Sequence, residues 1–430
     1  MPEPTKTIHW GRRIAGTLAV LILALLTAHA IWTSIVASRF SQRVAALRQA
    51  GEPVDLSDWP APHIDPATNA GLDILAAAEL INLNAQLPPM DGERERLKAI
   101  VKLYSAALER LEASRGKAGL EWEGPSPLAG WWLISLRRLQ VLTTALSSQA
   151  ILDHDRGNDA AAIDRLEQAL TVGRFAEKGP LLRSYLTARS MDQPTVQRLS
   201  MIAPELHIGT GPGDAAPEAV RQMIGMLLDD APVRLGFLKG LKGERALTIG
   251  ALRSPAPPGA STGYSVMRYL YRPIMLSAGN GVMEYYEGLL AAAAEQSYAP
   301  AAAKLHKLNR DTAKMSQFER PYLPSFDGEI QMLYTSLTSR HLAGIALAMR
   351  WYAIDHDGRL PDTIEDLVPT YLPTVPADLF TVDLKPLIYK PDPVAPVVYS
   401  VGVFGGDDGG ESPKDLVQPL HRLPTTNPQP

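Results

Sequence analysis

The residues of this chain whose types and spacing come nearest to a chemical site lie in a glycine-rich stretch close to the carboxyl end. Asp407, Asp408 and Glu411 stand among four glycines in the sequence Gly-Gly-Asp-Asp-Gly-Gly-Glu, residues 405–411. Adjacent carboxylates on such a turn can gather oxygen ligands around a hard cation, together with free backbone carbonyls. A solvated surface turn uses the same residue types and is the alternative. These three acidic residues are therefore the candidate metal ligands.

Other polar clusters in the sequence fit surface turns better than reaction centres. Asp153, His154 and Asp155 precede a Gly-Asn pair, where polar residues are expected at a bend. Residues 355–358, Asp-His-Asp-Gly, imitate part of an EF-hand loop, but its glycine and last ligand do not fall where that loop needs them. The sequence signatures of serine hydrolases, phosphate loops, dinucleotide sites and zinc helices are absent. We assign no catalytic and no cofactor-binding residue from the sequence.

The elements that position these residues begin with an apolar segment near the amino terminus. Residues 14–38 carry no charge, and a helix of that length reaches roughly 37 Å, enough to cross the apolar core of a bilayer. We predict a transmembrane signal-anchor over 14–38, with residues 1–13 as a cytoplasmic flank and the bulk of the chain extracytoplasmic. The protein is then a single-pass protein of the cell membrane, and the lipid bilayer is its first partner.

Two alternatives to this topology stay open. Ala28-His29-Ala30 matches a small-x-small cleavage site, and cleavage after Ala30 would release an exported protein. The apolar run continues past that site, which favours an uncleaved anchor. Three basic residues lie on each side of the span, so the basic count gives no orientation. We take the orientation from the short amino-terminal flank and the long chain that follows, the usual arrangement of a signal-anchor.

Composition and charge exclude several classes of protein. The 430 residues are 46% apolar, enough for two or three folded cores after the anchor. The first fifty residues sum to a charge of +5 and the remainder to −9, without a basic stripe and interleaved aromatic residues, so we expect no nucleic-acid partner. The chain has no cysteine, which excludes thiolate catalysis, thiolate metal sites and disulfides.

Helical periodicity dominates the rest of the chain. A juxtamembrane helix and linker are predicted over 39–69, and Leu- and Ala-rich segments with apolar residues three to four apart predict a mainly α-helical body over 70–330. Residues 331–411 predict a small α+β module, with antiparallel strands near 387–390 and 397–402. The proline-rich residues 412–430 predict a disordered tail.

Part of the helical body resembles a known repeat. Residues 157–170 resemble the turn and second helix of a tetratricopeptide repeat, with Ala162, Leu166 and Ala169 at the positions that interlock two helices. The preceding residues 139–153 lack the aromatic and glycine residues of the repeat, and no second copy stands out. The resemblance implies a short array of helical hairpins with a concave protein-binding surface. Ordinary packing of a helix pair along an Ala-rich seam is the alternative.

The carboxyl-terminal module resembles the head of a major pseudopilin of type II secretion. Over about 75 residues, 337–411, the chain offers the same order: a helix, a short helix introduced by proline, a Pro-Asp-containing link, two strands and a Gly/Asp-rich loop. In that family a loop of this kind binds calcium, so the resemblance implies calcium at Asp407 and Asp408, with Glu411 as a further ligand.

The chain also departs from the pseudopilin pattern. A pseudopilin carries its head directly on the membrane helix, behind a peptidase site, whereas here almost 300 residues separate the two and the peptidase site is absent. The predicted span also lacks the acidic residue used in filament registration. We therefore expect a fused module rather than a filament subunit. Within this module, Asp362 and Glu365 are predicted to cap the short helix.

Two classes of function follow from the sequence. The first is a non-catalytic scaffold or protein-binding protein of the bacterial envelope, anchored in the membrane, with a link to secretion and with partners that the sequence does not identify. A calcium-binding, pseudopilin-like secretion subunit is a variant of it. The second is an envelope hydrolase whose site is assembled between the body and the carboxyl-terminal module. Convergent His, Asp or Glu in a deep pocket would favour the hydrolase, and an exposed apolar groove would favour partner binding.

Overall fold

A computed structural model describes residues 9–59, 65–121, 130–253, 261–313, 326–411 and 414–421. Most of these residues are helical, which confirms the mainly α fold class. The helices are α1 (His9–Gln49), α2 (Ala70–Glu79), α3 (Glu93–Leu103), α4 (Ser105–Leu111), α5 (Gly130–His154), α6 (Asp159–Ala176), α7 (Leu182–Ile202), α8 (Pro217–Leu228), α9 (Ala231–Arg253), α10 (Thr262–Ala293), α11 (Tyr298–Thr312) and α12 (Asp327–Asp355). The strands are β1 (Ile388–Lys390), β2 (Val397–Ser400) and β3 (Leu416–Pro419).

The chain forms two compact units, each built from separate stretches of sequence. The first unit comprises Met1–Trp59, Glu244–Gly288 and Leu308–Pro324. The second unit comprises Pro60–Gly243, Leu289–Lys307 and Ser325–Pro430.

Helix α1 of the first unit passes through two different environments. Every residue from Trp10 to Ala28 is exposed, on all faces of the helix. From His29 onward, residues three and four apart are half-buried or buried, which defines a contact seam along one face. The helix is followed by Gly51, whose φ of 72° lies in the left-handed region that ends helices. The core of this unit consists of Val36, Phe40, Val44, Val54, Ile249, Leu252, Leu276 and Met283.

Helix α6 lies between the two hydrophobic cores of the second unit. The turn before it uses Gly157 at a φ of 75°, and the side chain of Asn158 accepts a hydrogen bond from the Ala161 backbone, which caps the helix. Ala162 and Leu166 belong to one core and Ala169 to the other, and all three are fully buried. Helix α5 packs along α6, which is consistent both with a repeat-like hairpin and with ordinary packing of a helix pair.

Helix α12 carries the carboxyl-terminal segment on the same core. Its residues Ile345 to Met349 share a hydrophobic cluster with α6, α7 and α8, and with Leu367 and Val398 of the later chain. The three strands form one sheet in the order β1-β2-β3, and both pairs are antiparallel, which confirms the predicted pairing of the first two.

Two local details differ from the sequence expectations. The short helix Ile364–Leu367 is capped by Thr363 and Asp366, one residue later than the predicted pair Asp362 and Glu365, so that prediction is wrong. The Thr363 hydroxyl donates a hydrogen bond to the Asp366 carboxylate. A capping pair requires two residues three positions apart, and both candidate pairs have that spacing. Strand β3 lies within residues 412–430, so the predicted tail is wrong for this part, because Leu416–Pro419 pair with β2. Residues 422–430 of the predicted tail lie outside the described part of the chain.

Candidate functional site

The structure places the three predicted metal ligands on an exposed loop that follows β2. Asp407 Oδ1 accepts hydrogen bonds from the Tyr399 hydroxyl at 3.0 Å and from the Gly409 backbone N–H at 2.9 Å. Burial, and then the hydrogen bond to this carboxylate, raise the pKa of Tyr399 to about 12, so the hydroxyl remains a donor at neutral pH. Asp408 forms an ion pair with Lys414 at 3.2 Å, and Glu411 is exposed. A cation would compete with protein partners at two of the three carboxylates, and the calcium site stays a prediction.

His154 of the Asp153–Asp155 cluster belongs to a hydrogen-bond group, centred on a buried carboxylate, that the sequence did not predict. Asp159, which is fully buried, accepts from His154 Nδ1 at 2.5 Å and from both the backbone N–H and Nδ1 of His207, at 2.7 and 2.9 Å. This carboxylate therefore joins the end of α5, the start of α6 and the segment after α7. Asp159 is closed by three donors, so we interpret the group as a structural latch and refer to it below as the histidine latch.

The histidine latch shifts the titration of its own members. The hydrogen bond to Asp159 raises the pKa of His154 above its ordinary value, against the effect of burial. Burial alone would raise the pKa of Asp159, but the hydrogen bonds from His154 and His207 outweigh it and lower that pKa. Throughout the described part of the chain, no group of three or more His, Asp and Glu side chains is arranged to hold a metal ion.

A network of four charged side chains lies inside the second unit. Arg189 donates to Glu177 at 2.8 Å and also pairs with Asp192 at 2.8 Å, and Arg340 pairs with Asp192 at 3.2 Å. Arg189, Asp192 and Arg340 are each at most 3% exposed, and Glu177 is 8% exposed. We call Glu177, Arg189, Asp192 and Arg340 the ionic network.

The ionic network joins four helices. Glu177 is the residue that follows α6, Arg189 and Asp192 lie one turn apart on α7, and Arg340 lies on α12. The second arm of Arg340 donates to the backbone carbonyl of Met226 on α8 at 2.6 Å. Charges removed from water need partners of opposite sign, and the two arginines and two carboxylates supply them to one another.

Two glycines let the ionic network approach helix backbones closely. A Cβ added at Gly236 of α9 would overlap Glu177 Oε1, and one added at Gly173 of α6 would overlap Asp192 Oδ1. These same two carboxylate oxygens are buried and make no hydrogen bond within the described structure. The same is true of the hydroxyl of Tyr185 beside them. The two glycines therefore leave room for these carboxylates, each of which pairs with arginine through its other oxygen.

The chemistry open to the ionic network follows from its burial. Desolvation raises the pKa of Glu177 to about 7, in spite of Arg189 beside it. A carboxyl group with such a pKa could exchange a proton near neutral pH, which is a property of general acids and bases. A reacting group must also contact its substrate, and these side chains are closed off from solvent by the helices that carry them. The arrangement therefore acts as a polar core that fixes helix positions.

Comparison of the chain with protein-family models, with curated proteins and with solved structures finds no match in any of the three. The class that the described structure defines is a mainly helical protein with a small three-stranded sheet and one amino-terminal helix long and apolar enough to cross a membrane. The tetratricopeptide and pseudopilin resemblances stay predictions.

Sequence reasoning missed the ionic network and the histidine latch because neither has a motif. Directly bonded members are separated by up to 148 residues along the chain, as in the pair Asp192–Arg340. One local signal was available in α7, where Arg189 and Asp192 lie on the same helical face as the apolar Tyr185 and Ala188, all of them buried. Charged residues on an apolar helical face predict that each has a buried partner, but they do not identify the partner residue.

Proposed function

We propose that this protein is a membrane-anchored, extracytoplasmic scaffold or protein-binding protein of the bacterial envelope. The observation that carries the proposal is helix α1, which is exposed on every face from Trp10 to Ala28, a length of roughly 28 Å. From Ile14 to Ser38 the helix carries no charge and so presents no charged face to water, and these residues are long enough to cross the apolar core of a bilayer. The same helix continues without a break into the packed core of the first unit, so the anchor is joined rigidly to folded protein.

The charged side chains of the second unit support a structural use. In the ionic network and the histidine latch, carboxylates that could act as acids or bases are paired with arginines or histidines and buried. Networks of this kind favour one arrangement of helices over others, which suits a rigid scaffold. The hydrolase alternative would need groups that a substrate can reach.

Two exposed apolar side chains support docking by the carboxyl-terminal segment. Val394, in the turn between β1 and β2, is 82% exposed, and Phe404, just after β2, is 78% exposed. Phe404 lies between Gly402 and Gly405, both with left-handed backbone, in the loop that also carries Asp407. Exposed aromatic residues are enriched among the contacts that dominate protein interfaces.

The anchoring and the orientation are tested together by fractionation and proteolysis. A carboxyl-terminal tag on the full chain is followed through a carbonate wash of membranes and through protease treatment of cells whose outer layer is permeabilised. We expect the tag in the membrane pellet and accessible to protease. A protected tag would place the bulk of the chain in the cytoplasm and overturn the proposed setting.

A charge-insertion variant supplies the matched control. Each arginine at the centre of a spanning helix costs about 2.5–3.5 kcal/mol of insertion free energy. Leu21→Arg with Leu25→Arg should therefore move the protein into the carbonate supernatant, whereas Leu80→Arg, an exposed position of the second unit, should not. Retention of the double variant in the pellet would show that α1 is not what holds the protein to the membrane.

The binding role is tested by photo-crosslinking in intact cells. A photoreactive residue at Phe404 is expected to give a discrete adduct with another protein, and one at Leu384, a less exposed apolar position of the same segment at 38%, serves as a comparison. The adduct should weaken when the wild-type chain, without the photoreactive group, competes in the same cells, and it should persist when Phe404→Ser is the competitor. Equal, diffuse labelling at both positions would contradict a docking role for Phe404.

A further inference from the structure

The first part of α10 exposes an apolar surface that a water-soluble helix would not tolerate. Six large side chains within residues 262–272, which we call the leading segment, are between 42% and 54% exposed. They are Tyr264, Val266, Met267, Tyr269, Leu270 and Tyr271. The environment changes at Pro273, from which point the helix is mostly buried or half-buried. A contiguous exposed patch of this kind indicates a partner.

The leading segment meets α1 at His29, where the exposed part of α1 ends. His29 Nε2 lies 3.1 Å from the Leu270 carbonyl oxygen, and the rings of His29 and Tyr269 are 5.0 Å apart. Further along, Arg43 pairs with Glu284, and both Arg43–Glu284 and His29–Leu270 are separated by 241 residues. The constant separation means that α10 runs parallel to α1 with a fixed offset. Val266 therefore lies at the level of Leu25.

That level lies within the bilayer if α1 is the anchor. Counted from Ile14, roughly 20 helical residues cross the apolar core, so the core ends near Thr33. His29 then lies about 6 Å inside the boundary, and the leading segment extends from there toward the middle of the bilayer. Tyrosine is enriched at this boundary, and long arginine side chains such as Arg272 reach back from it to the headgroups.

The contact between His29 and Leu270 is a hydrogen bond from a side chain of one helix to the backbone of another, as found between helices in membranes. Pro273 has no N–H, so α10 lacks the hydrogen bond that residue 273 would donate to the Tyr269 carbonyl, and the helix is weakened at this turn. A carbonyl only accepts, so His29 Nε2 carries the proton donated to the neighbouring Leu270 carbonyl. Inside a bilayer water does not supply such donors, and side chains of neighbouring helices do.

We propose that the leading segment of α10 is a second membrane-inserted element, which enters the leaflet nearest the folded chain and is covered by lipid. The protein is then held by one spanning helix and one half-inserted helix, packed in parallel. This inference rests on the anchoring by α1 in the proposed function, and not on the scaffold role.

The chain has no cysteine, so single probes can be placed without altering any native thiol. Val266→Cys is labelled with an environment-sensitive fluorophore in the full-length protein, reconstituted in phosphatidylcholine and phosphatidylglycerol vesicles. Leu25→Cys, at the same level of α1, is the positive control, and Leu80→Cys, exposed on the second unit, is the aqueous control. Quenching by lipids brominated at mid-chain is compared with quenching by iodide in the buffer.

We expect mid-chain bromines to quench the probe at position 266 within about twofold of the probe at position 25, because both lie in hydrocarbon. Iodide should quench it about fivefold less than the probe at position 80, because a desolvated anion is strongly disfavoured in hydrocarbon.

Three other outcomes would overturn the proposal in distinguishable ways. Quenching of position 266 by iodide, with position 25 still quenched by lipid, would leave the anchor in place and the leading segment in water. Protection of position 266 from both quenchers, with a disulfide between copies of Val266→Cys, would identify a second copy of the chain as the occupant. Failure of the lipid quencher at position 25 would remove the anchor, and the proposed function with it.

Discussion

Replacing Arg189 by methionine is expected to destabilise the second unit strongly. Methionine keeps most of the length of the side chain and removes the charge that pairs with Glu177 and Asp192, each at 2.8 Å. Asp192 retains Arg340 at 3.2 Å, but Glu177 is left buried without its ion-pair partner. Breaking a buried pair by removing one partner costs about 3–5 kcal/mol, mostly the penalty for the remaining charge.

The size of the effect can be read from thermal unfolding. The full chain in mild detergent is followed by tryptophan fluorescence. For a unit of roughly 310 residues, an unfolding entropy of about 2.1 cal/mol/K per residue converts this cost into a loss of about 5–8 °C in Tm. Arg94→Met is the matched control, because Arg94 pairs with Asp155 at 2.8 Å while its own side chain is 61% exposed. A pair of this kind contributes at most about 1 kcal/mol.

A second substitution separates lost charge pairing from lost packing. Glu177→Gln in the Arg189→Met background removes the stranded carboxylate and should recover part of the lost Tm. The pKa of Glu177 is raised to about 7 from an ordinary 4.5, so its neutral form stabilises the fold below pH 4.5 and this contribution is lost as the pH rises through 7. The recovery should therefore grow from acidic to alkaline pH. If Arg189→Met and Arg94→Met have the same Tm, or if the recovery by Glu177→Gln is independent of pH, our reasoning about the ionic network is wrong.

Three further predictions concern other parts of the chain. If the loop binds calcium, Asp407→Ala with Asp408→Ala should abolish any rise in Tm on adding calcium, and an unchanged rise would remove the calcium hypothesis. The histidine latch should stabilise the fold most at about pH 5, between the ordinary pKa values of Asp159 and His154. This contribution is lost as the pH falls through the lowered pKa of Asp159, and also as the pH rises through the raised pKa of His154. The substitution His154→Gln should therefore lower the Tm more at about pH 5 than at about pH 9. His29→Leu removes a side-chain hydrogen bond to the Leu270 carbonyl and should lower the stability of the first unit by about 1 kcal/mol in detergent titrations of the reconstituted protein, and an unchanged midpoint would contradict a bond sheltered from water.

Much of the helical architecture could be predicted from local pattern. The segments with three-to-four periodicity correspond to α2, α3 and α5 to α8, because burial of one helical face imposes that spacing on the sequence. The turn at Gly157 and the packing of α5 with α6 followed from the Gly-Asn pair and the small Ala162 and Ala169. The pairing of β1 with β2 followed from two β-rich runs close together in sequence.

Predictions failed where two similar local choices compete. Asp362 with Glu365 and Thr363 with Asp366 have the same spacing, and only the packing of Ile364 and Leu367 into the core decides which pair faces the helix end. Glycine also disfavours helix, yet α10 is a single helix through Gly279. Gly279 is tolerated there because Phe40 packs against its bare backbone, so that a Cβ would lie 2.7 Å from the ring.

The sequence by itself determined the apolar amino-terminal helix, the mainly helical class and the exclusion of thiol chemistry, because each depends on composition or on neighbours within a few residues. Only the tertiary structure decided which charges are buried and what they meet. Glu177 and Arg340 are unremarkable residues of two helices until folding brings both next to α7. The energy of a buried charge depends on its partners in space, and those partners are chosen by the packing of distant segments, which no local pattern encodes.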